Sequence, residues 1–304
     1  MNSFSNSETQ HLLSNPANSR ENTANSRNDS VGTSRFFADS CEEDTCEGCS
    51  VPAKAQLPPH WFRKHYPTVP TTMEMIAMDA APAGEVWMVS TDFQTRGHGQ
   101  RGTKWESDCG DNLMFTFVFR PQGVCATEQF YLSEIACLAV AQTLDDYVEG
   151  VSVKWPNDVY VGEQKICGML LNHQLRGAMV ESTMVGIGIN VNQSQFVSDA
   201  PNPISLQQLL GHRIDTEAVL ESFVRHFETL YALWLAGDKT RLATAYQQRL
   251  FRREGVHPYE DTATGERFWA TIEQVAPTGL LTLRDNAGDL RTFDFKAVKF
   301  LLES

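Results

Sequence analysis

Lys154-Trp155-Pro156-Asn157-Asp158 interrupts two short strand-like runs, Val151–Lys154 and Asp158–Val161. Pro156 lacks an amide hydrogen and cannot continue a strand ladder, and its ring pushes Trp155 into an extended conformation. Polar and charged groups set between apolar strands need partners, which a plain turn rarely demands. Taken alone, a tight turn with Asn157 and Asp158 bonded locally accounts for the motif as well. Lys165 follows on the next predicted strand, Lys165–Leu171, and Gly168 comes three residues later. The bare Cα of Gly168 lets a ligand approach that strand.

Downstream, Gly186-Ile187-Gly188-Ile189-Asn190 lies in a predicted strand over Met184–Val191 and puts glycine at alternate positions. One strand face is thereby left bare for a flat ligand, with the Asn190 amide beside it; close helix packing explains the same glycines equally well. Upstream lies the polar loop Gln94-Thr95-Arg96-Gly97-His98-Gly99-Gln100-Arg101-Gly102-Thr103-Lys104-Trp105. Its glycines expose backbone amides, and Arg96, Arg101 and Lys104 add positive charge, so the loop can cradle an anion. The spacing Gly-x-Gly-x-x-Gly matches the dinucleotide fingerprint only superficially, because it leads into a strand rather than a helix.

That next strand is the clearest in the chain: Leu113, Phe115, Phe117 and Phe119 alternate at period two within Asn112–Phe119. Glu85–Thr91 reads as a buried strand. Thr127–Tyr147 reads as a helix capped by Thr127, Asp215–Leu235 as a long amphipathic helix, and Asp238–Leu250 as a second one. Beyond Arg252 the style changes to short strands, Arg267–Val275, Leu280–Arg284, Leu290–Phe295 and Val298–Leu302, separated by glycine turns, which predicts a small β-barrel. The expected organisation is an N-terminal extension (1–60), a ligand-binding domain (61–251) and a small C-terminal domain (252–304).

The 304 residues are 41% hydrophobic and carry a net charge of −13. That composition supports a sizeable core, and the acidity argues against general nucleic-acid binding. No apolar run approaches the ~20 residues of a membrane span, and Met1–Phe4 lacks the start of a signal peptide, so a soluble, cytoplasmic protein is expected. Residues 1–40 hold nine serines and seven asparagines and read as disordered. Cys41, Cys46 and Cys49 have a metal-like spacing but offer only three ligands, and incidental thiols are the favoured reading. Cys109, Cys125, Cys137 and Cys167 are expected to pack as small free-thiol hydrophobes.

The motifs taken together, in this order, resemble the biotin–protein ligase family: Gly97–Trp105, Lys154–Asp158, Lys165-Ile166-Cys167-Gly168 and Gly186–Asn190. The resemblance runs from about Pro67 to the C-terminus. It implies an α+β fold, with a biotin/lipoate ligase-like catalytic domain of mixed sheet and flanking helices followed by a small SH3-like β-barrel. It implies a monofunctional biotin–[biotin carboxyl-carrier protein] ligase. Such an enzyme activates biotin with MgATP to biotinyl-5′-AMP and transfers biotin to a lysine of a carboxylase biotin carrier domain. Lys165 matches the active-site lysine. Arg101, Gly102 and Lys104 match phosphate-holding positions, with Arg101 also catalytic, and Trp105 matches a residue that stacks on adenine. Lys154, Asn157, Asp158, Gly188 and Asn190 belong to the nucleotide end, where Asp158 orients the incoming lysine or helps bind Mg2+. Thr71, Thr72 and Gln94 match groups that hydrogen-bond the biotin ureido ring, and Gly97, His98, Gln100, Gly168 and Gly186 line the biotin pocket.

The chain departs from the family pattern where His98 and Gln100 replace two loop arginines and Met73 replaces an asparagine after Thr71-Thr72. Arg96 is a candidate for the missing cation. Two other readings compete: a lipoate–protein ligase or octanoyltransferase relative, whose arginine- and glycine-rich loop is absent here, and a non-catalytic biotin-binding protein, against which the retained Lys165 argues. Biotin, ATP and a carrier domain are the expected partners, with no nucleic acid and no membrane. The family includes homodimers of several geometries, and no feature of the sequence selects one.

Overall fold

The alternating aromatics become β3 (Leu113–Phe119), buried along its whole length. The structure, a computed structural model, describes residues 58, 60–99, 104–197 and 202–301. The remaining large-sheet strands are β1 (Trp61–Val69), β2 (Val86–Gln94), β4 (Val151–Lys154), β5 (Asp158–Val161), β6 (Gln164–Arg176) and β7 (Met179–Ile189). They form a seven-stranded mixed sheet of order β1-β2-β3-β7-β6-β5-β4. Only the β1–β2 pairing is parallel among the six neighbouring pairs.

Helices α1 (Phe130–Asp145), α2 (Leu206–Leu210), α3 (Thr216–Leu235) and α4 (Lys239–Gln248) accompany the sheet. Strand side chains alternate between faces, so Phe115, Phe117 and Phe119 share one face. There they meet Phe223 and Phe227 of α3 with ring centroids 5.0–5.7 Å apart. Asp215 caps α3 by accepting from the Glu217 amide. The helix predicted from Thr127 begins later, at Phe130, after a 3-10 turn over Ala126–Glu128. The opposite sheet face has a smaller cluster, in which the turn Thr72–Met75 brings Met75 against Val89, Val118 and Met184.

The C-terminal strands are β8 (His257–Asp261), β9 (Arg267–Val275), β10 (Leu281–Asp285), β11 (Leu290–Phe293) and β12 (Val298–Phe300). They make an antiparallel sheet of order β11-β10-β9-β8-β12. Where the sequence predicts a small β-barrel, the structure shows this five-stranded antiparallel sheet, with β11 and β12 at its two ends. The sheet buttresses the turn after β4. Trp155 donates its indole N–H to the Gly279 carbonyl at 2.9 Å and packs on Phe295. Gly279 has φ +92°, and a Cβ there would lie 2.7 Å from both Phe130 and Phe295, so only glycine fits.

Cys137 and Cys167 are buried free thiols, pushed up in pKa by burial, and Cys125 is a half-buried one. Cys109 departs from expectation: it is disulfide-bonded. The Cys41, Cys46 and Cys49 cluster lies outside the described residues, as do Gln100, Arg101 and Gly102. Among the described residues no helix is long and apolar enough to cross a membrane.

Candidate active site

The alternation that sends Val185, Ile187 and Ile189 into the helix-side core leaves Gly186 and Gly188 on the other face. Register places Gly188 opposite Gly168 of β6, and Gly168 opposite Asp158 of β5. Three adjacent strands thus share a shallow strip without bulky side chains. Lys165 stands at its rim. Its Nζ lies 2.8 Å from Asp158 Oδ1, and both side chains remain partly exposed.

Trp105 lies on this strip. A Cβ on Gly188 would fall 2.6 Å from its ring, and one on Gly168 would fall 3.3 Å from both Trp105 and the Lys165 Nζ. The ring therefore needs glycine at 188. The Trp105 indole N–H is buried and has no hydrogen-bond partner among the described residues, although an unpaired buried donor is costly. Such a donor suits a ring that exchanges partners when a ligand enters. The amide of Trp105 donates to the Gly97 carbonyl at 3.0 Å, and His98 bridges Lys104, so the loop returns on itself. His98 and Lys104 are exposed.

At the other end of the strip sits a polar cluster. The Thr72 and Thr116 hydroxyls are 2.8 Å apart, and the Thr72 amide donates to Gln94 Oε1 at 2.8 Å. Met73 covers Gly186, its sulfur 2.9 Å from where a Cβ would be. Thr71 is buried beside it, and its carbonyl accepts from the Glu74 amide. From β3 to β5 is three strand spacings, about 14 Å. The strip therefore offers neutral donors and acceptors at one end and a cation at the other, which suits a ligand with a hydrogen-bonding head and a carboxylate tail.

Other predicted residues serve the frame. Asn157 donates its amide to the Met169 carbonyl, and Asn190 donates to the Ile204 carbonyl at 3.1 Å. Lys154 donates to the Tyr160 hydroxyl at 3.0 Å and lies over the Tyr160 and Phe300 rings. Burial holds its ammonium below the ordinary lysine range. Arg96 is engaged by Glu74 at 2.8 Å on the surface rather than directed at the strip. Met73 is marked in the sequence only as a departure from the family pattern after Thr71-Thr72; Thr116 carries no signal and could have been found only by noting a hydroxyl among the apolar positions of β3. Among the described residues no group of three His, Cys, Asp or Glu side chains could hold a metal.

The pattern of the biotin/lipoate A/B protein ligase family matches residues 68–192. The chain is 30% identical over 225 residues to the biotin–[acetyl-CoA-carboxylase] ligase of Paracoccus denitrificans, covering 72% of this chain and 92% of that one. The chain belongs to the biotin/lipoate A/B protein ligase family. It is also 32% identical over 224 residues to the bifunctional ligase/repressor BirA of Bacillus subtilis, and spans only 66% of that relative's length. In fold it is similar to the biotin protein ligase from Aquifex aeolicus in complex with biotin and ATP. There the TM-score is 0.63 and the identity 21%, over 79% of this chain and 99% of that one.

Proposed function

We propose that the chain is a biotin–protein ligase. The observation that carries this reading is the pairing of Lys165 with Asp158 at one end of a glycine-floored strip whose other end is the Thr72–Thr116–Gln94 cluster. The hydroxyls and the Gln94 amide take the ureido ring, which donates and accepts in one plane. Met73 and Gly186 flank the bicycle, and Lys165 holds the carboxylate. A lipoyl or octanoyl head makes no hydrogen bond to this polar cluster, whereas a ureido ring does.

Activation requires a carboxylate to meet a polyanion. The biotin carboxylate oxygen bonds to the α-phosphorus of MgATP, the α–β bridging bond breaks, and pyrophosphate leaves. Lys165 offsets charge on the carboxylate and on the acyl phosphate it becomes. Mg2+ enters with the nucleotide as part of the MgATP substrate. Trp105 moves from the strip onto the adenine. In the second step a lysine amine of a carrier domain attacks the acyl carbon and AMP leaves. Asp158 orients that amine. Residues 61–251 hold both ligands, and residues 252–304 form a small SH3-like module that stiffens the Lys154–Asp158 turn from behind.

The test is biotin-dependent ATP–pyrophosphate exchange, with lipoate and octanoate as controls. Exchange with biotin is expected, reduced about 100-fold or more in Lys165→Ala, the scale of losing one charge-stabilising group. Exchange with lipoate instead would move the chain to another activity of the same family. Biotin binding without any exchange would favour a non-catalytic binder.

A further inference from the structure

Gln193 lies just past β7, is 1% exposed, and uses every hydrogen-bonding position of its side-chain amide. Its Oε1 accepts from the Asp108 amide at 2.8 Å and from Asn112 Nδ2 at 2.9 Å. Its Nε2 donates to Asp108 Oδ2 at 3.0 Å and to the Gln195 carbonyl at 2.9 Å. Asp108 and Asn112 form the closing end of the loop that carries Trp105. Asn112 ties back to the same segment, its Oδ1 accepting from the Val191 amide at 3.0 Å.

The backbone of Gln193 reaches in the other direction. Its carbonyl accepts from the buried Ser205 hydroxyl at 2.7 Å. The neighbouring Ile204 amide donates to the Lys165 carbonyl at 3.0 Å, and the Lys165 amide donates to Asn202 at 2.8 Å. Asn190 holds the Ile204 carbonyl. One residue thus joins the base of the Trp105 loop to the segment that fixes the Lys165 backbone. Buried amides with all four positions filled have no alternative arrangement of equal energy, so displacing one end disturbs the other.

We infer that Gln193 is a positioning residue that sets the Trp105 loop and Lys165 relative to one another, so that nucleotide closure and carboxylate activation occur in one geometry. The inference rests on the ligase reading for its kinetic consequence but not for its structural one. Gln193→Glu replaces the donor facing the Asp108 carboxylate with a second carboxylate. Asp108→Asn added to it restores a donor–acceptor pair of reversed polarity with residue 108, while the Gln195 carbonyl stays without its donor.

The experiment measures both variants in the full chain by amide hydrogen exchange and by pyrophosphate-exchange kinetics. Gln193→Glu is expected to speed amide exchange in both 104–110 and 164–168, and to raise the KM for ATP about tenfold while lowering kcat. The double variant is expected to recover both segments and most of the KM change. A lowered Tm with KM unchanged and faster exchange confined to 190–195 would reduce Gln193 to a structural role and overturn the inference. Failure of the double variant to restore either segment would also overturn it. If the wild type shows no biotin-dependent turnover, the ligase reading fails. The amide-exchange comparison then still decides the coupling: faster exchange in both segments supports it, and change in only one contradicts it.

Discussion

The two faces of β7 are built from alternate residues of one run and do opposite work. Val185, Ile187 and Ile189 are buried on the helix side, where β3 and α3 interlock through phenylalanines. Gly186 and Gly188 face away, and what rests on them is Met73 and Trp105. The helix face removes apolar area from water; the other face withholds side chains, so that Met73 and Trp105 lie against the backbone where the proposed ligand would go. Stability and function are thereby separable on a two-residue period.

The sharpest break of that separation is Gly188→Val. Its side chain fills the bare strip that the ligand is proposed to occupy, so adenylation is expected to fall about 100-fold or more, while the thermal midpoint changes little. A large fall in Tm together with activity would show that the bare face is structural. Phe117→Ala is the mirror experiment. It is expected to cost about 3–5 kcal/mol in denaturant titration while activity per folded molecule at low temperature stays near wild type.

Glu134 sharpens the helix side further. This α1 carboxyl is buried, its Oε2 has no hydrogen-bond partner among the described residues, and burial raises its pKa to about 8. Between its ordinary value of 4.5 and about 8 the folded chain holds a proton that the unfolded chain has lost. Its contribution therefore favours folding below pH 4.5 and declines as pH rises through about 8. Glu134→Gln is expected to raise Tm at pH 8 by roughly 5 °C and to give no gain near pH 4.5; a gain independent of pH would contradict this account. The smallest expected effect is at Arg96. Its exposed pair with Glu74 should be worth under about 0.5 kcal/mol, and Arg96→Ala should leave the ATP KM unchanged. A clear rise in that KM would return Arg96 to the site.

Period-two aromatics make β3 legible, and alternate glycines mark the open face, because both follow from local backbone geometry. β1 is not legible: Arg63, Lys64 and His65 sit on an edge strand, where Arg63 reaches Glu217 and His65 reaches Ser90, and those partners lie far along the chain. β6 and β7 extend beyond the predicted runs to Arg176 and Met179 because their outer halves form an exposed hairpin with little apolar signal. The roles proposed for Lys165, Asp158 and Trp105 come from the family resemblance that motif order carries. Lys154 stands in the same motif, yet its ammonium rests on Tyr160 and Phe300, a contact set by the C-terminal sheet. Thr116 and Gln193 act only through partners brought close by the fold, which no local pattern encodes.

In the proposed ligase the glycine face, and not the helix side, receives the acid. A crystal structure with biotin and a non-hydrolysable ATP analogue tests it most directly. The predicted result has the biotin bicycle beside Thr72, Thr116 and Met73, the carboxylate within hydrogen-bond distance of Lys165 Nζ, and Trp105 moved from Gly188. Biotin bound elsewhere, or bound with Trp105 still seated on Gly188 and Lys165 still turned to Asp158 alone, would contradict it.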